Sequence, residues 1–230
     1  MIRAGRVRLK GALTKNPEAA VRLGKDRIEV DGSPVVSAER IYWMLNKPRS
    51  LVTTADDEKD RETVYTKLPK DLPWMSPVGR LDKASEGLLL FTNDSEWAAK
   101  VTAPESHLDK TYHVQIGALA TDELLRSLER GVTGADSEVL RAKRARRIRE
   151  GEKNSWIELV LDEGKNRQIR RMLEVSGVEV LRLIRVTIGP LELGTLPKGE
   201  ARALSAAEKS ALDRALRSVA LPQTGRTALS

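Results

Sequence analysis

The chain contains no cysteine among its 230 residues, which removes disulfides, thiolate nucleophiles and cysteine-ligated zinc or iron–sulfur centres together. Its two histidines, His107 and His113, are too few for a histidine-rich site, so no metal is expected. Aromatic residues are scarce as well, with four Trp, three Tyr and one Phe. Nowhere do about 18 consecutive apolar residues occur, and the opening "MIRAGRVRLKG" is charged rather than apolar. Neither a membrane span nor a signal peptide is expected, and the chain reads as cytoplasmic.

Positive charge, by contrast, is plentiful. With Lys+Arg 40 against Asp+Glu 33, the formal charge is +7 and the sequence pI near 9.7. An excess of this sign attracts a polyanion, with nucleic acid the first partner to test, although it also serves plain solubility.

Residues 1–38 alternate apolar and polar positions in "GRVRLKG" and "DRIEVDGSP", with Gly and Asp-Gly marking turns, so a small basic β-rich piece is expected there, with a boundary near Ala38. Residues 39–218 then form the main domain, and 219–230 a disordered tail. "ERIYWMLNKP" reads as a strand ended by Pro48, and "GLLLFTND" as a strand buried on both faces. Ser95 is placed to cap the helix "EWAAKVTA". "KTYHVQIG" and "SWIELVLDEG" read as strands, "TDELLRSLERG" as a helix closed by Gly131, and "NRQIRRMLEVSG" as a helix stopped at Gly177. "VLRLIRVTIGP" is a strand stopped at Pro190, and Ser205 with Glu208 has capping-box spacing at the start of a last helix. Strands outnumber helices without alternating with them. The pattern favours an α+β fold with a large mixed or antiparallel sheet flanked by helices.

Three stretches carry chemistry. In "PVGRLDKASEGLLLFTND", Gly79 permits a tight approach and Asp82 stands just before the buried strand, so that its carboxylate is held over a pocket floor; pairing with Arg80 or capping a turn is the plainer fate of such an aspartate. In "EGKNRQIRRM", a helical count of ~100° per residue sets Ile169, Met172 and Leu173 inward, with Gln168 and Arg170 at the borders of that face. Arg167 and Arg171 point away, toward solvent or RNA. Arg170, reaching inward, needs an anion, which an aspartate on a neighbouring loop supplies. In "DKTYHVQI", strand alternation puts Lys110, Tyr112 and Val114 on one side. Tyr112 beside Lys110 suits a base-stacking platform, though a lone tyrosine is more often ordinary core.

Taken together and in that order, "GRLDKASEGLLLFTND", "KTYHV" and "EGKNRQIRRM" resemble the three signature motifs of the RsuA family of ribosomal RNA pseudouridine synthases. The resemblance runs from about Ile41 to about Leu204 and includes "LNKPRS" and "LRLIRVTIGPL". Residues 5–36 resemble the second half of the alpha-L RNA-binding motif, without the paired helices of the first half. Ser95 stands where the family has glycine after "TND".

The resemblance implies an isomerase that converts uridine to pseudouridine in ribosomal RNA, without a cofactor, as a monomer. Its catalytic residues would be Asp82, Tyr112 and Arg170. Asp82 would add to carbon 6 of the base, attack carbon 1′, or assist loss of the 2′ proton, each of which needs the ionised carboxylate that Arg170 favours. Tyr112 would hold the flipped base and relay the carbon 5 proton. Arg80 and Lys83 would hold flanking phosphates, and Lys47, Arg49, Lys110, Arg167 and Arg171 would contact further RNA, as would the basic run from Arg141 to Arg149. The alternatives are a transfer RNA target, or a non-catalytic RNA-binding or ribosome-assembly protein on the same fold.

Overall fold

The computed structural model describes residues 1–22, 25–35, 39–54, 61–134 and 136–219. Ala38 and the tail 220–230 lie outside the described residues. The chain divides into two compact units, Met1–Arg40 and Ile41–Ser230.

The first unit is a four-stranded antiparallel sheet. Its strands are β1 (Val7–Leu9), β2 (Ala12–Thr14), β3 (Ile28–Val30) and β4 (Ser33–Pro34), in the order β2-β1-β3-β4. Two-residue turns join β1 to β2 and β3 to β4, with Lys10-Gly11 and Asp31-Gly32 all at positive φ, the backbone that right-twisted hairpins require.

The second unit begins with β5 (Tyr42–Lys47), which stops where Pro48 removes an amide donor. Then come β6 (Ser76–Val78), β7 (Glu86–Thr92), α1 (Ser95–Thr102), β8 (Lys110–Ile116) and α2 (Asp122–Arg130). A short hairpin of β9 (Val132–Thr133) and β10 (Val139–Leu140) precedes β11 (Arg144–Glu150), β12 (Ser155–Leu161) and α3 (Gln168–Val175). The chain ends in β13 (Val180–Ile188), β14 (Leu191–Glu192), β15 (Ala201–Ala203) and α4 (Ala206–Val219). Nine strands form one sheet along β11-β12-β8-β13-β7-β5-β15, with β14 on β13 and β6 on β7. Only β7 and β13 run parallel, so the sheet is mixed and the fold α+β. Among the described residues no helix is long and apolar enough to cross a membrane.

β7 is buried along its whole length because both faces are covered. Leu88 and Leu90 pack with Trp97, Val101 and Leu212 from α1 and α4, while Leu89 and Phe91 pack on the opposite side with Leu51, Val64 and Leu81. A third cluster joins Val114, Ile157 and Leu159 of the sheet to Leu128 of α2 and Met172 of α3.

One cap differs from the sequence expectation. Asp94, not Ser95, caps α1: its carboxylate accepts the Trp97 amide at 3.1 Å and the Tyr42 hydroxyl at 2.8 Å, and Ser95 is the first helical residue. At α4 the capping box forms. The Ser205 hydroxyl accepts the Glu208 amide at 3.2 Å, and Glu208 accepts the Ser205 amide at 2.8 Å.

Candidate active site

Asp82 lies on the loop entering β7, and that loop is tied down from beneath. Leu81 buries its side chain at 6% exposure, and its carbonyl accepts the Thr53 hydroxyl at 2.7 Å. The Lys83 carbonyl accepts the Ser50 amide at 2.8 Å, and the Asp82 carbonyl the Ser85 amide at 2.9 Å. Below them Lys47 is fully buried. Its ammonium donates to the carbonyls of Pro48 (3.1 Å), Asp82 (3.1 Å) and Ser85 (2.8 Å), using all three N–H groups. Burial lowers its pKa to about 8 despite the opposing charges of Asp82 and Glu86.

This corrects the expectation that Lys47 contacts RNA, since it has no exposed surface to offer. The lysine instead fastens the aspartate loop to the end of β5.

The base of the loop is also held electrostatically. Glu86, 1% exposed, accepts from Arg182 at 3.0 Å through both oxygens and pairs with Lys198 and, at 3.6 Å, with Arg49. Burial would raise its pKa, but hydrogen bonds from Arg182 and Lys198 outweigh that and hold it below the usual value. Arg49 also donates to the carbonyls of Ala84 and Leu181, so part of its donor capacity is taken up within the protein.

A cleft of about 530 Å³ opens beside Asp82. It is lined by Arg80, Lys110, Tyr112, Arg167 and Arg185 among others, so residues from all three sequence stretches meet there. Tyr112 is half-buried against the cluster under α2 and α3, on the same side of β8 as Lys110 and Val114. Arg80 and Lys83 are exposed and form no ion pair among the described residues.

The arginines of α3 are arranged otherwise than the helical count suggests. Arg167, not Arg170, makes the ion pair with Asp82, Nη1 to Oδ2 at 3.5 Å. The count fails because Arg167 lies outside the helix. It is the residue before the first turn, with φ 47 and ψ 30 in the left-handed region, and this backbone turns its side chain back over the cleft. Arg170 donates Nη2 to the Ala84 carbonyl at 3.2 Å, while its Nε is buried without an acceptor. Burial lowers the Arg170 pKa, with Arg167 and Arg49 acting in the same direction and Asp82 against them. Arg167 and Arg170 therefore both act on the Asp82 carboxylate, one by ion pair and the other at longer range.

Arg171 does not point freely to solvent. It donates to Asp136 at 2.6 and 2.7 Å and to Glu138 at 3.0 Å, tying α3 to the β9–β10 hairpin. The basic run on β11 is similarly occupied: Arg144 and Arg146 pair with Glu158, Arg147 with Glu150, and Lys143 with Asp109. Sequence reasoning missed Arg185, which is 5% exposed on β13 and lines the cleft. The available signal is its position two residues after buried Leu183, on the inward parity of the strand.

A carboxylate at the edge of a cleft, surrounded by cations and faced by a tyrosine, defines an enzyme that works on an anionic polymer. The model of RNA pseudouridylate synthases matches residues 41–175, which contain Asp82, Tyr112 and Arg170. The chain is 39% identical over 208 residues to the ribosomal large subunit pseudouridine synthase B of Bacillus subtilis (strain 168), covering 89% of this chain and 84% of that one. To an uncharacterised RNA pseudouridine synthase of Aquifex aeolicus (strain VF5) it is 33% identical over 217 residues, covering 94% and 87%. A crystal structure of a pseudouridylate synthase superposes with a TM-score of 0.68 at 28% identity, covering 92% of this chain and 90% of that one. The chain belongs to the RNA pseudouridylate synthase family and is an isomerase acting on RNA.

Proposed function

We propose that the protein converts a uridine of ribosomal RNA to pseudouridine in the cytoplasm during ribosome assembly, with Asp82 as the catalytic carboxylate. The observation that carries this reading is the meeting of Asp82, Tyr112 and the start of α3 in one cleft, from segments far apart in sequence. The name of the Bacillus relative favours a ribosomal target over a transfer RNA.

In this reading the uridine leaves its stack and enters the cleft with its ring against Tyr112. Arg80 of the cleft lining and the neighbouring Lys83, both exposed, hold the flanking phosphates. Arg167 pairs with Asp82 before RNA arrives, and Arg170 fixes the loop through the Ala84 carbonyl. Asp82 then acts at carbon 6, at carbon 1′ or on the 2′ proton. The Tyr112 hydroxyl relays the proton that leaves carbon 5, passing its own to solvent as it accepts the new one.

The test is to incubate the protein with unmodified ribosomal and transfer RNA transcripts and map the pseudouridines formed. One position in ribosomal RNA should convert with the wild-type protein, and none with Asp82→Asn, which keeps the side-chain shape and RNA affinity but is no nucleophile. Conversion only in transfer RNA would refute the ribosomal target. An Asn variant with a substantial fraction of the wild-type single-turnover rate would refute the role of Asp82.

A further inference from the structure

Arg185 is the buried charged side chain of the cleft lining. Among the described residues its only hydrogen bond runs from Nε to the Leu88 carbonyl at 2.8 Å, and no ion pair includes it. Its Nη2 is buried without an acceptor. A guanidinium has five donor N–H groups, and burying it with the two on Nη2 idle is unfavourable unless an acceptor arrives.

The strand register explains its place. Arg185 is the direct cross-strand partner of Tyr112 on β8, so the two side chains rise side by side from one face. On its other flank β7 presents Gly87, where any Cβ would stand 2.2 Å from the Arg185 carbonyl oxygen. Lys110 lines the same cleft and donates only to the Leu108 carbonyl among the described residues. Burial and then the nearby Arg185 lower the Lys110 pKa, against the pull of Asp109 and Asp162. Asp162 also lines the cleft and partly offsets Lys110, which leaves Arg185 as the buried cation of this wall without a carboxylate partner among the described residues.

Two kinds of RNA oxygen can answer it, a phosphate or a base carbonyl. A phosphodiester is joined to nucleotides at both ends and stays outside, where Arg80 of the cleft lining is exposed. The base alone can reach a wall that is buried. A ring lying on Tyr112 presents its carbonyl edge sideways, toward Arg185.

We propose that Arg185 is a catalytic residue whose Nη groups donate to a carbonyl oxygen of the flipped uracil and stabilise the negative charge the ring acquires during reaction. The proposal rests on the isomerase reading above and holds for each way the reaction can begin. If Asp82 adds to carbon 6, the C5–C6 π pair moves through C4 onto O4. If the C1′–N1 bond breaks instead, its electron pair stays on the ring, shared by N1, O2 and O4. That pair later forms the C1′–C5 bond, any Asp82 bond to carbon 6 or carbon 1′ breaks again or the 2′ proton returns, C5 loses its proton and N1 gains one, so nothing is oxidised or reduced. A fixed donor that strengthens as this charge grows lowers the barrier more than it aids binding.

Arg185→Gln and Arg185→Lys are to be compared with the wild type in single-turnover reactions on ribosomal RNA transcripts at saturating protein, with RNA affinity measured separately. The Gln variant should be slower by about 10²-fold, the loss typical of one oxyanion donor. The Lys variant, which keeps the charge, should recover part of that rate, and both should bind RNA like the wild type. A Gln variant as fast as the wild type overturns the proposal. So does weakened RNA binding with an unchanged saturated rate, which would make Arg185 a phosphate contact.

Should the Gln variant not fold, the wild type is given transcripts carrying 2-thiouridine or 4-thiouridine at the mapped position. Sulfur accepts hydrogen bonds poorly, so one of the two should react about tenfold more slowly, and no slowing with either overturns the proposal. A wild type inactive on every transcript would refute the isomerase reading itself and this proposal with it, whereas an active wild type isolates the question to Arg185.

Discussion

Lys47 shows how much one residue's meaning depends on its surroundings. A lysine before Pro-Arg reads as a cation for RNA, yet here its ammonium is the buried fastening of the Asp82 loop. Its pKa of about 8, against an ordinary 10.5, has a thermodynamic consequence. Below pH 8 both folded and unfolded chains carry the proton, and the folded chain bears the full cost of burying the charge. Between about 8 and 10.5 the unfolded chain holds more protons, so this cost is progressively relieved and stability rises with pH. Lys47→Met removes the titration. The difference in unfolding free energy between wild type and variant, measured in urea across this range, should shift in favour of the wild type as pH rises. A difference independent of pH would mean that Lys47 titrates normally. The same substitution should slow catalysis, because the Asp82 and Ser85 carbonyls then lose the ammonium that binds them together.

At the scale of elements, the parallel pairing of β7 with β13 brings the Asp82 loop and Arg185 to one cleft, and it depends on Gly87. That residue has φ 101, and a Cβ would meet the Arg185 oxygen at 2.2 Å and its nitrogen at 2.8 Å. Gly87→Ala should therefore cost about 2–4 kcal/mol, combining backbone strain with overpacking. Chemical denaturation should find it, with activity falling in parallel as the strands part. α4 offers a second measurement. The Arg202 guanidinium, bonded to Glu208 at 2.6 and 2.8 Å, and the Ser205 amide together lower the Glu208 pKa to about 2, against the cost of burial. A carboxylate with a depressed folded pKa contributes stability above its unfolded value near 4.5, and loses it as pH falls toward 2. Glu208→Gln should thus be less stable than wild type at neutral pH, with the gap closing across that acidic window. A gap that persists at pH 2 would show that packing, not charge, is involved.

For the molecule as a whole, the first unit poses the open functional question. Its basic residues are partly occupied internally, with Arg6 on Asp31 and Arg27 on Glu29 beside its four-stranded sheet. We expect residues 1–38 to add phosphate contacts without choosing the uridine. A chain starting at Glu39 should bind RNA more weakly, with a salt dependence shallower by ~0.7 to 0.9 for each phosphate that is no longer neutralised. Its saturated rate and mapped position should be unchanged. Titration over a range of salt, with mapping of both chains, checks this; a moved position or an unaltered slope would contradict it.

Much of this protein is written in local sequence. The apolar run of β7, the stop at Pro48, the capping box of Ser205 and Glu208 and the closure of α2 at Gly131 depend on neighbours within a few residues, so spacing and residue type determine them. The three motifs likewise marked the family, and with it the α+β sheet and the class of reaction. Tertiary structure decided the division of labour among the cations. Lys47 became a fastening because its acceptors come from residues 82 and 85, and Arg167 displaced Arg170 at Asp82 because a left-handed residue lies outside any helical count. Arg185 gained its place only when β13 paired with β7 on one side and β8 on the other. A side chain's charge is a property of its residue, but whether that charge is spent on the fold or left for a ligand depends on which acceptors distant segments bring within reach.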